Sequence, residues 1–217
     1  MANGSLISNG LNLTSIIREL EGIVRQLAIE SEKALYKLRL ISSISRQVYT
    51  ARSYHKSHGR KVCRYALSIG LKKGLMTDRL ISLQAAALLH DFGKVAISND
   101  IFVKKQPLTT KERIAVQMHV IKGYHLLSEI KGIEQILEGV RTHHEYYNGR
   151  GYPFCLCGKS IPLLGRILAV ADAYDAMTTE RPYRKTKTKK QAFEELRKCS
   201  GKQFDPEIVK AFMETLK

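Results

Sequence analysis

No stretch of eighteen consecutive apolar residues occurs in this sequence, so no membrane-spanning helix is expected. The first ten residues lack both the basic start and the continuous apolar stretch of a secretory signal, which makes the cytoplasm the expected compartment. Cysteine is scarce: Cys63, Cys155, Cys157 and Cys199 show no disulfide-framework spacing and read as reduced thiols. Strand-type alternation is nearly absent, as are internal repeats and low-complexity tracts, which argues against β-rich and repeat architectures. Acid is the minority charge. With 20 Asp and Glu against 36 Lys and Arg, the formal net charge is +16 over 217 residues. That excess suits an anionic partner, whether a phosphate-bearing metabolite, nucleic acid or an acidic protein, but a solvated lysine surface accounts for it equally well. No nucleic-acid-binding signature accompanies it, and no nucleic-acid partner is expected.

What is present is helical periodicity. Leu13, Ile16, Ile17, Leu20, Ile23, Val24 and Leu27 form an apolar stripe, with Thr14 or Ser15 as an N-cap and no Gly or Pro between Val24 and Thr50. Residues 1–50 therefore read as an N-terminal helical segment that could cover the core, form a homodimer seam or continue from an upstream sensor or receiver domain. Residues 51–217 read as a second, self-contained unit. Val62, Tyr65, Ala66 and Ile69 share one face, and Leu80, Leu83, Ala86, Ala87 and Leu88 lead up to His90. Gly and Pro cluster at 148–153 and again at 157–162, marking one long loop, and the tail from 189 to 216 is helical with a break at 200–206. The expectation is an all-α helical bundle.

The chemistry-bearing residues sit at the ends and on the small-residue faces of these helices. A lone histidine is more often structural than a ligand, but among His58, His90, His119, His143 and His144 the adjacent pairs His90-Asp91 and His143-His144 change the odds. His90-Asp91 pairs an imidazole with a carboxylate whose two oxygens could bridge two cations, and Lys94, three residues on, could hold a phosphate oxygen without competing for metal. His143-His144-Glu145 puts two imidazoles in tandem before a loop whose glycines permit close backbone approach, and Tyr152, stiffened by Pro153, could stack on a base. Asp172 and Asp175 lie three apart on one helix face. They could form salt bridges with Arg181 or Arg184, or supply a metal ligand at Asp172 with Asp175 as its support. Arg181-Pro182-Tyr183-Arg184 suits bidentate phosphate contact. The Cys155-Leu156-Cys157 pair lacks a second pair to complete a zinc site and reads as a loop feature.

Taken in order, His58 with Val62, Leu89-His90-Asp91-Phe92-Gly93-Lys94, His119, His143-His144-Glu145, Asn148-Gly149-Arg150-Gly151-Tyr152-Pro153, Ile161-Pro162, Arg166-Ile167, Ala171-Asp172 to Arg184 and Gln203-Phe204-Asp205-Pro206 resemble the HD-GYP family of the HD phosphohydrolase superfamily. The resemblance covers about residues 50–217. It implies a helical bundle that holds iron or manganese ions and hydrolyses cyclic di-GMP or a related cyclic dinucleotide to a linear dinucleotide or mononucleotides.

Carried over residue by residue, the metal ligands would be His58, His90, Asp91, His119, His143, His144 and Asp172. Asp91 and Lys94 would be the catalytic pair, and Lys94, Tyr152, Asp175, Arg181 and Arg184 the substrate contacts. The grouping expected is His58, His90 and Asp172 around one ion and His119, His143 and His144 around the other, with Asp91 bridging, although spacing alone does not fix it. Two departures stand out. Tyr54 occupies the position where some members place a glutamate for a third metal, which favours two divalent ions, and Asn148 replaces the usual Asp before the first loop glycine. The competing expectation is a catalytically weak cyclic dinucleotide sensor that signals through its N-terminal helix.

Overall fold

The computed structural model describes residues 53–104, 106–130, 132–180 and 186–216, with side chains from His58 onward. The expected N-terminal helix, its dimer seam, and Arg181 and Arg184 lie outside the described residues. Helices α1 (Ser53–Lys72), α2 (Thr77–Leu89), α3 (Asn99–Val103), α4 (Thr110–Gln117), α5 (His119–Ser128), α6 (Glu134–Thr142), α7 (Leu163–Thr178), α8 (Lys189–Lys198) and α9 (Pro206–Thr215) succeed one another, with 3₁₀ turns at Phe92–Ala96 and Gly158–Ser160. Among the described residues the only β pairing is two isolated bridges, so the all-α expectation holds. None of these helices is long and apolar enough to cross a membrane.

Helix boundaries reflect local chemistry. Thr109 and Thr188 open α4 and α8 through capping boxes with Glu112 and Gln191, and Asp205 caps α9 just before Pro206 at its first position. Arg166 crosses to the Asp205 carboxylate at 2.6 Å, tying α7 to the start of α9. Helix α1 packs on α2, α7 and α9, and α6 packs on α2, α5 and α7. The apolar face of α1 supplies Val62, Ala66 and Ile69, all fully buried, as are Leu83 on α2 and Leu164, Ile167 and Leu168 on α7. Each large side chain so buried contributes about 1.5–3 kcal/mol. Phe212 of α9 closes this core edge-on to Tyr65 and Tyr174, with centroids 5.7 and 4.9 Å away.

The turn after α2 makes an unusually close approach to α5. Gly93 lies where a Cβ would stand 1.9 Å from the His119 carbonyl oxygen and 2.4 Å from the Gly123 nitrogen. Only glycine lets the two segments press together this tightly. The contact brings Asp91 beside His119.

Candidate metal centre

Three of the histidines are aimed by the same local device. The last carbonyls of a helix have no partner within it. His90, His119 and His143 each donate Nδ1–H to such a carbonyl three residues back: to Ala87 at 2.8 Å, Val116 at 2.7 Å and Val140 at 2.8 Å. This fixes the tautomer and turns the Nε2 lone pair inward. Burial lowers the pKa of all three neighbours His119, His143 and His144, the last to about 4, so these rings are neutral.

The inward nitrogens meet one another. His119 Nε2 and His143 Nε2 are 3.4 Å apart, and with both Nδ1 protons committed to carbonyls this contact sets lone pair against lone pair. His90 Nε2 is buried and has no hydrogen-bond partner. Two repelling lone pairs and an orphaned buried acceptor are costly unless something electropositive lies among them.

Carboxylates complete the cluster. Asp91 directs Oδ1 to His119 Nε2 at 3.4 Å and Oδ2 to His90 and His58 at 3.5 and 3.8 Å. Burial opposes its ionisation, but Lys94 and the surrounding imidazoles outweigh that and hold its pKa well below the usual carboxylate range. His58, in the first half of α1, lies between the two aspartates of α7: Nε2 is 3.2 Å from Asp172 and Nδ1 is 2.6 Å from Asp175. Burial disfavours a charged ring here, yet the hydrogen bonds to Asp172 and Asp175 prevail and raise its pKa to about 9.

Donor atoms from His119, His143 and His144 fall within 4.8 Å of one another, as do those from His58, His90 and Asp172 and those from His90, Asp91 and His143. All seven residues expected to bind metal thus converge from five helices and their ends. Nitrogen and carboxylate donors in this ratio suit divalent first-row ions, and the orphaned His90 nitrogen and the facing His119 and His143 lone pairs fit a cation between them. No cysteine takes part in any of these groups.

Two expectations need correcting. Lys94 lies 2.5 Å from Asp91 Oδ2, the oxygen that also faces His58 and His90, so in this arrangement the ammonium competes with a cation for that oxygen. Asp175 is fully buried and commits its two oxygens to His58 and to the Thr179 hydroxyl at 2.8 Å, leaving no path to substrate. It supports His58, not Asp172.

The loop after α6 is anchored by a residue to which sequence reasoning assigned no role. Glu145 is buried, and its carboxylate accepts the backbone N–H of Phe154 at 2.7 Å and of Leu156 at 3.0 Å. A Cβ on Gly151 would stand 2.1 Å from the Tyr146 nitrogen, so the loop folds tightly against its own start. Tyr152 donates its N–H to the His144 carbonyl and stacks on the His144 ring, with centroids 4.9 Å apart and an interplanar angle of 26°. The signal in the sequence is an acid placed between a helix end and a run of loop amides in need of acceptors. Beyond the rings lies a cavity of about 420 Å³ bordered by His144, Tyr152, Asp172, Lys187 and Glu195, among others.

The chain has known relatives. The HD domain family model matches residues 29–208. A cyclic di-GMP phosphodiesterase of Thermotoga maritima is 38% identical over 152 residues, which is 69% of this chain and 40% of that protein. The 3'3'-cGAMP-specific phosphodiesterase 2 of Vibrio cholerae is 36% identical over 160 residues, 73% of this chain and 31% of that one. The chain therefore spans less than half the length of these curated relatives. The L. monocytogenes phosphodiesterase PgpH HD domain, solved in complex with cyclic-di-AMP, shares the fold at a TM-score of 0.58 and 19% identity, over 80% of this chain and 93% of that one. With the family model spanning most of the sequence and its histidines and aspartates gathered at one place, the chain belongs to the HD domain family.

Proposed function

We propose that this domain is a metal-dependent phosphodiesterase that opens a cyclic dinucleotide, with cyclic di-GMP as the first candidate and the mixed GMP-AMP ring as the second. The observation that carries the proposal is the convergence of five imidazoles and two carboxylates on one place, with the neutral rings of His119 and His143 lone pair to lone pair at 3.4 Å. The activities for which the relatives are named support the same reading.

Two divalent ions, iron or manganese, would be held by His58, His90 and Asp172 and by His119, His143 and His144, with Asp91 shared. Tyr54 in place of a glutamate speaks against a third. Such ions, when bound, polarise a phosphoryl oxygen and make water a nucleophile at neutral pH. The chain's own part is orientation and charge. The helix-end carbonyls fix three imidazoles before substrate arrives. Lys94, beside Asp91 at the edge of the cluster, would meet a non-bridging phosphate oxygen in the loaded centre. Arg181 and Arg184 are the proposed further phosphate contacts, and Tyr152, at the edge of the cavity, the base contact. The net charge of +16 is compatible with an anionic substrate.

The test is turnover of cyclic di-GMP, 3'3'-cGAMP and cyclic di-AMP by protein loaded anaerobically with iron or with manganese. Ring opening of at least one is expected. Tight binding without hydrolysis would instead make the domain a sensor, and neither binding nor hydrolysis would overturn the proposal.

A further inference from the structure

The two halves of the centre are not electrically alike. His90, His119 and His143 each rest Nδ1 on a neutral backbone carbonyl. His58 alone among these four rests it on a carboxylate, Asp175, at 2.6 Å. Asp175 is fully buried, and the bonds continue outward: its second oxygen accepts the Thr179 hydroxyl at 2.8 Å, and that hydroxyl accepts the Lys61 ammonium at 3.1 Å. A carboxylate behind an imidazole raises the electron density at its other nitrogen and makes it a stronger donor. The same half includes the carboxylate of Asp172, whereas the group of His119, His143 and His144 contains no acid. Asp91 does not cancel this difference, because it turns one oxygen to each half. Lys94 opposes it from Asp91 Oδ2, but one partly exposed ammonium faces two carboxylates, one of them sealed from water.

Resting on the reading of the cluster as a metal centre, we infer that its two positions bind cations with unequal strength: the position bounded by His58, His90 and Asp172 fills first, the position bounded by His119, His143 and His144 fills second, and Asp175 is the positioning residue that sets the difference. Removing such a supporting carboxylate typically weakens metal binding by about 10–100-fold. The loss falls on one position only, since the bonds of Asp175 go to His58 and Thr179. A partly loaded population would then carry its single ion on the His58 side.

The experiment is titration of the chelator-stripped full chain with Mn²⁺ alone, following free ion by its paramagnetic resonance signal. The parent is expected to take up manganese in two resolved steps. Asp175→Asn keeps the shape, since its side-chain oxygen can still accept from His58, but it removes the charge. It is expected to weaken the tighter step by about 10–100-fold and leave the weaker step within a few-fold. His144→Ala should remove the weaker step and spare the tighter. Thr179→Val, which takes one bond from the same carboxylate, should shift the tighter step the same way by a smaller factor, and it serves if the Asp175 variant does not fold. Two equal steps in the parent, or an Asp175→Asn effect spread over both steps or on neither, would overturn the inference. No manganese uptake by the parent would overturn the metal-centre reading beneath it.

Discussion

Glu145→Gln isolates the anchoring of the loop that carries Tyr152. The native carboxylate accepts two backbone N–H groups, from Phe154 at 2.7 Å and from Leu156 at 3.0 Å, while itself only 2% exposed. Bonds to a charged acceptor are worth about 1.5–3 kcal/mol each, and bonds between neutral groups about 0.5–1.5 kcal/mol. Glutamine preserves one bond in the weaker neutral form and turns an NH₂ group toward the other N–H, leaving that donor without an acceptor. The net loss comes to about 2–4 kcal/mol once water is allowed to repair part of it at the half-buried loop. In a domain of this size that lowers the midpoint of thermal unfolding by about 4–16 °C. Because Tyr152 comes directly after Gly151 on the same loop, cyclic dinucleotide binding should weaken as well, while metal content stays near that of the parent. Paired melts and equilibrium binding decide it. A midpoint within 1 °C of the parent, or a fully destabilised loop that still binds nucleotide as the parent does, would refute the anchoring argument.

The packing and charge of the centre give further expected outcomes. Gly93→Ala places a methyl group 1.9 Å from the His119 carbonyl oxygen and should destabilise the fold by about 3 kcal/mol, with loss of metal because Asp91 and His119 are pushed apart; urea melts and metal analysis check both parts. The metal-free protein should lose stability on both sides of neutrality. His143 and His144 have folded pKa values below the unfolded value of about 6.5, so protons bind the unfolded chain preferentially as pH falls from about 6.5 toward 4, at about 1.4 kcal/mol per pH unit for each ring. His58, raised to about 9, contributes stability that is complete below about 6.5 and disappears as pH climbs through about 9. Urea melts of chelator-stripped protein from pH 5 to 10 should trace a maximum near neutrality, and a curve that falls from pH 5 or still rises at pH 10 would contradict this.

Part of the centre is readable from sequence, because several of its histidines and Asp91 stand in short motifs at helix ends, where an apolar stripe fixes the face and a Gly or Pro fixes the stop. His90-Asp91 after the stripe of α2 and His143-His144 before the glycine-rich loop are of this kind. Pairings across helices are not readable in that way. Periodicity places Asp172 and Asp175 on one face but cannot say that both close on His58, which comes 117 residues before Asp175. Nor can it show that Lys94 folds back on Asp91, since a side chain with four rotatable bonds reaches either its neighbour or the solvent. Glu145 is visible as an acid but not as a loop anchor, because its partners are backbone amides that carry no sequence signal. Arg166 and Asp205 stand in motifs of the resemblance, but their pairing with each other shows only once the fold brings α7 against the start of α9.

The most direct test is the metal content and cyclic dinucleotide turnover of anaerobically purified protein beside its Asp91→Ala variant. The account predicts about two first-row divalent ions per parent chain with measurable ring opening, and loss of both metal and turnover in the variant. A parent that binds no metal, or an Asp91→Ala protein that keeps its metal and its turnover, would contradict it.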